Sequence, residues 1–347
     1  MARDGTSREV DPRRLIAAHV AATAFYRARL PGHLAALAYL HSRGVSATTA
    51  NRPPWTVGYA PAGWTELRDA LHAKGFQDRE LLAAGLATTS RTGAVIDAFR
   101  DRVVFPVRNR CGYVVGFTAR DLSGHPEASK YRNTVTTAIY RKRRLLYGLV
   151  EQIEAGPAPA AVLLVEGPTD VLAVAGLRQW LPGPRYVAVA PCGTAVSAEQ
   201  VRLLADTVAP GTRLVVAFDA DAAGEGAADR TYLVTRDWSG PVDAVALPSG
   251  TDPASLVARH RHAAVHVLER LRTSLAELVV DHRLRRFRLD EPEGRVNALR
   301  AAAPLVAEVG ERDTRRAAAL SAHLSARLRL DPLTVFEAAY PAPPAQP

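Results

Sequence analysis

Cysteine is nearly absent from this sequence: 347 residues carry two, Cys111 and Cys192. Neither has a visible histidine partner for catalysis, and no Cys/His set has the spacing of a zinc site, so no zinc centre is expected. Two cysteines allow at most one disulfide, which excludes a cross-linked scaffold. Long apolar runs are missing too. No stretch reaches the roughly 20 residues that a membrane span needs. The opening MARDGTSREVDPRR also lacks the apolar core of a secretory signal. A cytoplasmic chain with no membrane segment is the expectation.

With 48% hydrophobic and 23% charged residues, the composition is that of a globular chain. Its length suffices for two or three compact units. The charge is less ordinary. A net +9 and a pI near 9.9 favour an anionic partner such as nucleic acid, although an Arg- and Ala-rich composition raises pI by itself. The charge is also concentrated. Between Arg102 and Arg144, ten Lys and Arg stand against Asp121 and Glu127, which leaves +8 in this one segment. Aromatic residues are interleaved there, which favours a nucleic-acid surface over a merely solvated face.

Residues 1–10 and 340–347 read as disordered ends. Between them, 11–153 reads as a first, α+β unit. Its pattern is helical from 11 to 86, with Gly44, Gly75 and Gly85 where helix C-caps belong. The segment 101–122 then alternates about NRCG, a hairpin signal. EAGPAPA (154–160) reads as a loop. From 158 to 262 strands and helices alternate, and the strands AVLLVE, YVAVAPCG, RLVVAFDAD and VDAVALP are continuous apolar runs. That predicts a mainly parallel, Rossmann-like α/β sheet covered on both faces. A helical unit over 263–339 closes the chain, with EPEG as a break and restart.

The acids are the informative residues. VVAFDADAAG (215–224) delivers Asp219 and Asp221 to the end of a buried strand, Glu166 closes an earlier strand, and Asp252 follows a later one. Open parallel sheets build their sites at these carboxyl ends, so three or four carboxylates should converge on one rim. Carboxylates that close need a cation, and hard oxygen ligands suit Mg2+ or Mn2+. Asp170, one turn past Glu166, either faces the same site or serves the helix dipole. Likewise one of Asp219 and Asp221 could simply cap the next helix.

VEGPTDVLAV followed by VVAFDADAAGEGAADR resembles the Toprim domain. The segments WTVGYAPAGWTELRDAL, FRDRVVFPVRNRCGYVVGFTARDL, KYRNTVTTAIYRKRRLLYGL and LPSGTDPASLV resemble, in order, the RNA polymerase core of DnaG-type bacterial primases. The resemblance covers roughly 15–335. It implies a nucleotidyltransferase that makes short RNA primers on single-stranded DNA from NTPs with two Mg2+ (or Mn2+) ions. Carried over by motif, Glu166 is the essential acid, acting as ligand or general base. Asp219 and Asp221 are metal ligands, Asp252 is a further acid, and Asp170 supports them. Arg108, Arg120, Lys130, Arg132, Asn133 and Lys142 match positions that hold nucleotide or template.

Three departures stand out. The zinc-binding domain of the family has no counterpart, and no room is seen for the usual helicase-binding domain, so either function would fall to a separate helicase or zinc-domain partner. The family's PDGxDPD reads PSGTDPA, with Ser249 and Ala254 in place of acids. Such a reduced core suits a mobile element. The alternatives are a Toprim metal-dependent nuclease, or a non-catalytic protein that binds single-stranded DNA as a replication accessory. Trp55 and Trp64 are expected to pack the helical lead-in.

Overall fold

The computed structural model describes residues 10–153, 158–177, 186–193, 195–219 and 221–341. The ends expected to be disordered fall almost wholly outside these residues, as does part of the 154–160 loop. Tyr340, expected in the tail, packs against Phe336 with the tilted rings 4.9 Å apart. Among the described residues twelve strands form. They are β1 (Gly58–Ala60), β2 (Ala87–Thr89), β3 (Val95–Asp97), β4 (Arg102–Arg108), β5 (Val114–Asp121) and β6 (Tyr131–Asn133), then β7 (Leu146–Tyr147), β8 (Ala161–Val165), β9 (Tyr186–Pro191), β10 (Arg213–Ala217), β11 (Val242–Val245) and β12 (Arg272–Ser274).

The first unit is α+β. Helix Pro12–Arg29 opens with Asp11 accepting from the Arg13 N–H and with proline in its first turn. It lies so close to β1 that a Cβ on Gly58 would sit 2.4 Å from the Tyr26 carbonyl carbon. β1 itself corrects the helical reading of 11–86: three buried residues are too few to show any period. It joins the antiparallel sheet β1–β4–β5–β6. The expected β4–β5 hairpin turns at 109–112, where the Asn109 side chain accepts from the N–H groups of Cys111 and Tyr113. The C-cap glycines are as read: Gly85 has φ +69°, and Leu86 N–H reaches back to Leu81 at 2.9 Å.

The second sheet runs β12–β11–β10–β8–β9–β7. Its four inner strands are parallel, and β7 and β12 pair antiparallel at the edges. Alternate residues enter different cores. Leu163, Val165, Val215 and Ala217 share a cluster with Val103 and Phe105 of the first sheet. Val162, Leu164, Leu214 and Val216 pack instead against the C-terminal helices Leu275–Leu284, Pro292–Gly310 and Thr314–Leu328. Burial on both faces is why these strands carry no alternating pattern. Among the described residues no helix is long and apolar enough to cross a membrane.

His19 lies in the N-terminal core at 0% exposure, stacked on Phe117, with Nδ1 2.8 Å from the Leu15 carbonyl oxygen. Burial pushes its pKa down to about 4. The folded state therefore disfavours the charged ring, and stability is lost as pH falls from 6.5 towards 4. Between pH 7 and pH 5 the contribution is about 2 kcal/mol. Urea unfolding at both pH values should show that slope in the wild type and a shallower one in His19→Leu. Identical slopes would refute it.

Candidate active site

Parallel register sets the first two acids. Val165 of β8 pairs with Ala217 of β10, so Glu166 and the Phe218–Asp219 dipeptide leave adjacent strands side by side. The Asp219 N–H donates to Glu166 Oε1 at 3.1 Å. From β8 the chain crosses to β9 on one side and then to β10 on the other. That reversal opens the ligand crevice of an open α/β sheet. A cavity of about 550 Å3 lies there.

One wall of the cavity carries Glu166, Asp170 and Asp219. The facing wall, from the first unit, carries Arg120, Lys130 and Asn133, all three expected there. Burial pushes Asp219 up to about 7, with Glu166, Asp170 and Asp252 adding. Glu166 is also raised, by burial first, against the pull of the Asp219 N–H. Asp170, 4% exposed, is lifted to about 6 by burial and then by Asp252, while Arg43 opposes. Asp219 Oδ1, Arg120 Nε and Asn133 Oδ1 are buried with no hydrogen-bond partner. Such atoms about one cavity mark groups meant for a ligand.

The expectation that Asp221 and Asp252 join Glu166 and Asp219 on one rim needs correction. Asp221 Oδ1 accepts from the Gly224 N–H at 2.8 Å and caps helix Ala222–Val234. Its charge still reaches Glu166. Asp252 caps helix Pro253–His260 and pairs with Arg43 at 2.7 Å. Neither lines the cavity. Among the described residues no three His, Cys, Asp or Glu groups are arranged to hold a metal ion by themselves. Glu166 and the partnerless Asp219 Oδ1 do fit a hard divalent cation completed by water or phosphate oxygens.

The basic residues divide as well. Arg108 donates to the carbonyls of Gly112 and Pro54 and lies 3.6 Å from the buried Glu151, away from the cavity. Arg132 instead senses Arg100 and Arg102. Lys142 lines an adjoining cavity of about 280 Å3 that shares Gly193 and Val196 with the first.

Sequence reasoning missed Arg43. It sits at the end of helix Leu34–Ser42 and reaches Asp252, with Asp170 at 3.7 Å. It also missed Tyr39 and Tyr131, whose rings flank the Arg120 guanidinium at 5.4 and 5.6 Å. Tyr131 lies between two residues that were singled out, so its neighbours were the available signal. Arg43 had none.

Comparison with known proteins agrees with this geometry. Residues 25–153 match the family model of the DNA primase catalytic core, N-terminal domain, and 163–257 match a Toprim-like model. The chain is 33% identical, with a TM-score of 0.73, to the RNA polymerase domain of Mycobacterium tuberculosis primase DnaG in complex with a double-stranded DNA oligomer. The match covers 92% of this chain and 98% of that one. The chain belongs to the DnaG primase family. A DnaG primase catalytic domain bound to ssDNA matches at 28% identity and TM-score 0.72, over 93% of this chain and 98% of that one. The DNA primase of Streptomyces coelicolor is 37% identical over 85% of this chain and 46% of its own length. The chain thus spans about half the length of the curated relatives it matches.

One expectation about this primase core is overturned. Residues 279–332 match the DnaB-helicase binding domain of primase, where no room for such a domain was seen. These helices carry no chemical motif, and their amphipathic pattern alone does not distinguish a docking domain from a packing one.

Gly224 tests the construction of this primase site. A Cβ there would lie 2.0 Å from the Asp219 carbonyl oxygen and 3.2 Å from Glu166 Oε1. Gly224→Ala should lower stability by about 1–3 kcal/mol and disturb the acidic pair. In the same helix, a Cβ on Gly226 would meet only the end of the Arg230 side chain, at 3.2 Å. Gly226→Ala should be neutral or stabilising by up to about 1 kcal/mol. Chemical denaturation of both variants checks the contrast, and equal costs would refute it.

Proposed function

We propose that the chain is a DNA primase that synthesises short RNA primers on single-stranded DNA from NTPs. The observation that carries this is the Glu166–Asp219 pair facing Arg120, Lys130 and Asn133 across one cavity, with partnerless polar atoms on both walls. Arg120 and Lys130 offer charge to the phosphates of an incoming nucleotide. The flanking Tyr39 and Tyr131 hold the Arg120 guanidinium in place. In the transfer, the 3′-hydroxyl of the growing strand forms a bond to the α-phosphorus, and the bond to the diphosphate breaks. Glu166, its carboxyl raised by burial, takes the hydroxyl proton. A divalent cation held by Glu166 and Asp219, and read as Mg2+ or Mn2+, supplies neutralisation of phosphate charge and acidification of the hydroxyl. Asp221 remains near enough to join it, whereas Asp252 acts through its pairing with Arg43.

Trp64, expected to pack the helical lead-in, is 61% exposed, with the Arg100 guanidinium 4.1 Å from its ring centre. The pKa of Arg132 is lowered by burial first and then by the nearby charge of Arg100. An exposed indole backed by arginines is a stacking platform for single-stranded nucleic acid. We infer that the template runs across it towards the cavity. By their family match, the C-terminal helices are read as the contact for a helicase. The site of action is inferred to be the cytoplasm, where template and nucleotides meet.

Incubation with single-stranded DNA, Mg2+ and labelled NTPs should give short RNA. Asp219→Asn should reduce it by at least about a hundredfold, on the scale of lost electrostatic stabilisation at a reacting centre. Shortened DNA in place of RNA would mean a nuclease, and DNA binding without synthesis an accessory protein. Trp64→Ala should weaken DNA binding by about 1–3 kcal/mol in fluorescence anisotropy. Arg132→Ala should reduce the slope of log affinity against log salt by about 1. An unchanged affinity in Trp64→Ala removes the platform from the reading.

A further inference from the structure

Lys142 stands on one 3-10 helical turn, Lys142–Arg144, just before β7. Arg141, Lys142, Arg143 and Arg144 are all exposed, so burial of their side chains does not fix the turn. Four neighbouring positive charges also repel one another. Backbone hydrogen bonds hold the turn instead.

The anchors come from the start of helix Ala198–Ala205. Gln200 Nε2 donates to the carbonyl oxygens of Lys142 at 3.0 Å and of Leu145 at 2.8 Å. Ser197 Oγ donates to the Arg143 carbonyl oxygen at 2.6 Å. Both side chains are buried, at 2% and 8% exposure. They also hold each other, because the Ser197 N–H donates to Gln200 Oε1 at 2.9 Å and the Gln200 N–H to Ser197 Oγ at 3.1 Å. A capping box serves its own helix. Here the same two side chains also reach a turn 54 to 58 residues earlier in the chain. Both amide protons of Gln200 and the hydroxyl proton of Ser197 are used on that turn, which leaves neither side chain a donor for a ligand.

The Lys142 stem therefore starts from a fixed point. Gly193, which lines both the larger and the adjoining cavity, lies against that stem: a Cβ there would sit 3.9 Å from Lys142 Cδ. Arg143 faces Glu199 at 3.5 Å, so Lys142 is the cation without an ion pair among the described residues of the adjoining cavity. A long side chain on a fixed base has less freedom to lose on gripping a ligand.

We propose that Ser197 and Gln200 are positioning residues for nucleotide binding. By anchoring the backbone of the turn, they aim the Lys142 ammonium at the phosphates of a nucleoside triphosphate where the two cavities meet. The assignment rests on the primase reading and adds to it two residues that act through Lys142.

A double-mutant cycle tests this, read both as ATP affinity by calorimetry in Mg2+ and as KM for NTP in primer synthesis. Lys142→Ala should weaken ATP binding and raise KM by about tenfold or more, the scale of a lost charged hydrogen bond. Its kcat should change by less than about twofold, as for lost ground-state binding. Gln200→Leu should raise KM by about tenfold in the wild-type background and by less than about twofold in Lys142→Ala. Ser197→Ala leaves Gln200 in place and should give a smaller rise with the same dependence on Lys142. Melting temperatures show which variants fold, and Ser197→Ala carries the cycle if Gln200→Leu does not. Equal effects with and without Lys142 overturn the proposal, because a merely structural role does not depend on that ammonium. So does an ATP affinity unchanged by Lys142→Ala or Gln200→Leu, or no ATP binding to the wild type. Coupling in ATP affinity with no RNA from the wild type would sustain the positioning role and sink the primase reading.

Discussion

Two carboxylates forced together by strand register are the constraint from which the site follows. The pairing of Val165 with Ala217 leaves Glu166 and Asp219 no choice but to emerge side by side from a buried sheet. Burial and mutual repulsion both act against their charge, which is why Asp219 rises to about 7. A folded chain tolerates such a pair only where something else offsets it. Here one backbone N–H bridges the pair, Lys130 faces it, and Gly224 leaves no Cβ to crowd it. The remaining deficit is what makes the pair attractive to a divalent cation.

Arg43 extends this management of charge into the architecture. Its guanidinium pairs with Asp252 and lies 3.7 Å from Asp170. Asp170 in turn accepts from the N–H groups of Gly167 and Ala254, each at 3.1 Å. A residue of the N-terminal unit thereby supplies countercharge to Asp252 and to the buried Asp170 together. Close contact seals the junction: a Cβ on Gly44 would lie 3.2 Å from the Ala258 nitrogen. Arg43 thus ties the N-terminal unit that carries Arg120 and Lys130 to the sheet unit that carries Glu166 and Asp219. Loss of Arg43 would leave two carboxylates without their countercharge, one of them deeply buried, a situation that costs about 3–5 kcal/mol when a buried pair is broken.

What could be read in the sequence was what repeats locally. Continuous apolar strands announced a parallel sheet, and the acids at their ends announced a site, because strand order and side-chain position follow from short-range pattern. The E-G-x-x-D and D-x-D spacings put Glu166, Asp219 and Asp221 at the site and left Asp170 open; the cavity wall carries Glu166, Asp170 and Asp219, while Asp221 caps the next helix. What stayed hidden depends on long-range pairing. Nothing near Arg43 indicates that its partners lie about 130 and 210 residues away. Trp64 was assigned to packing because an aromatic residue in an apolar region is usually buried, yet its turn leaves the ring in solvent beside Arg100. Asp252 reads in the sequence only as a further acid of the site, whereas in the fold it caps the next helix and pairs with a guanidinium that composition could not locate.

Charge counting shows the same limit. The +8 of the 102–144 segment suggested one continuous basic surface, but four of its ten cations are committed to acids. Arg102 pairs with Asp121, Arg108 with Glu151, Arg110 with Asp206 and Arg143 with Glu199. Of the six others, which have no ion-pairing carboxylate among the described residues, four stand about the site. Arg120 and Lys130 line the larger cavity, Lys142 the adjoining one, and Arg132 lies near Arg100 and Trp64. The chain has three lysines in all, Lys74, Lys130 and Lys142. In a sequence that otherwise uses arginine, two of the three stand at the cavities beside the acidic pair. A compact ammonium on a flexible stem can follow a phosphate as it moves, whereas a guanidinium fork holds it in one orientation. The mixture of Arg120 with Lys130 in one cavity therefore suits a ligand whose phosphate must first be held and then shifted.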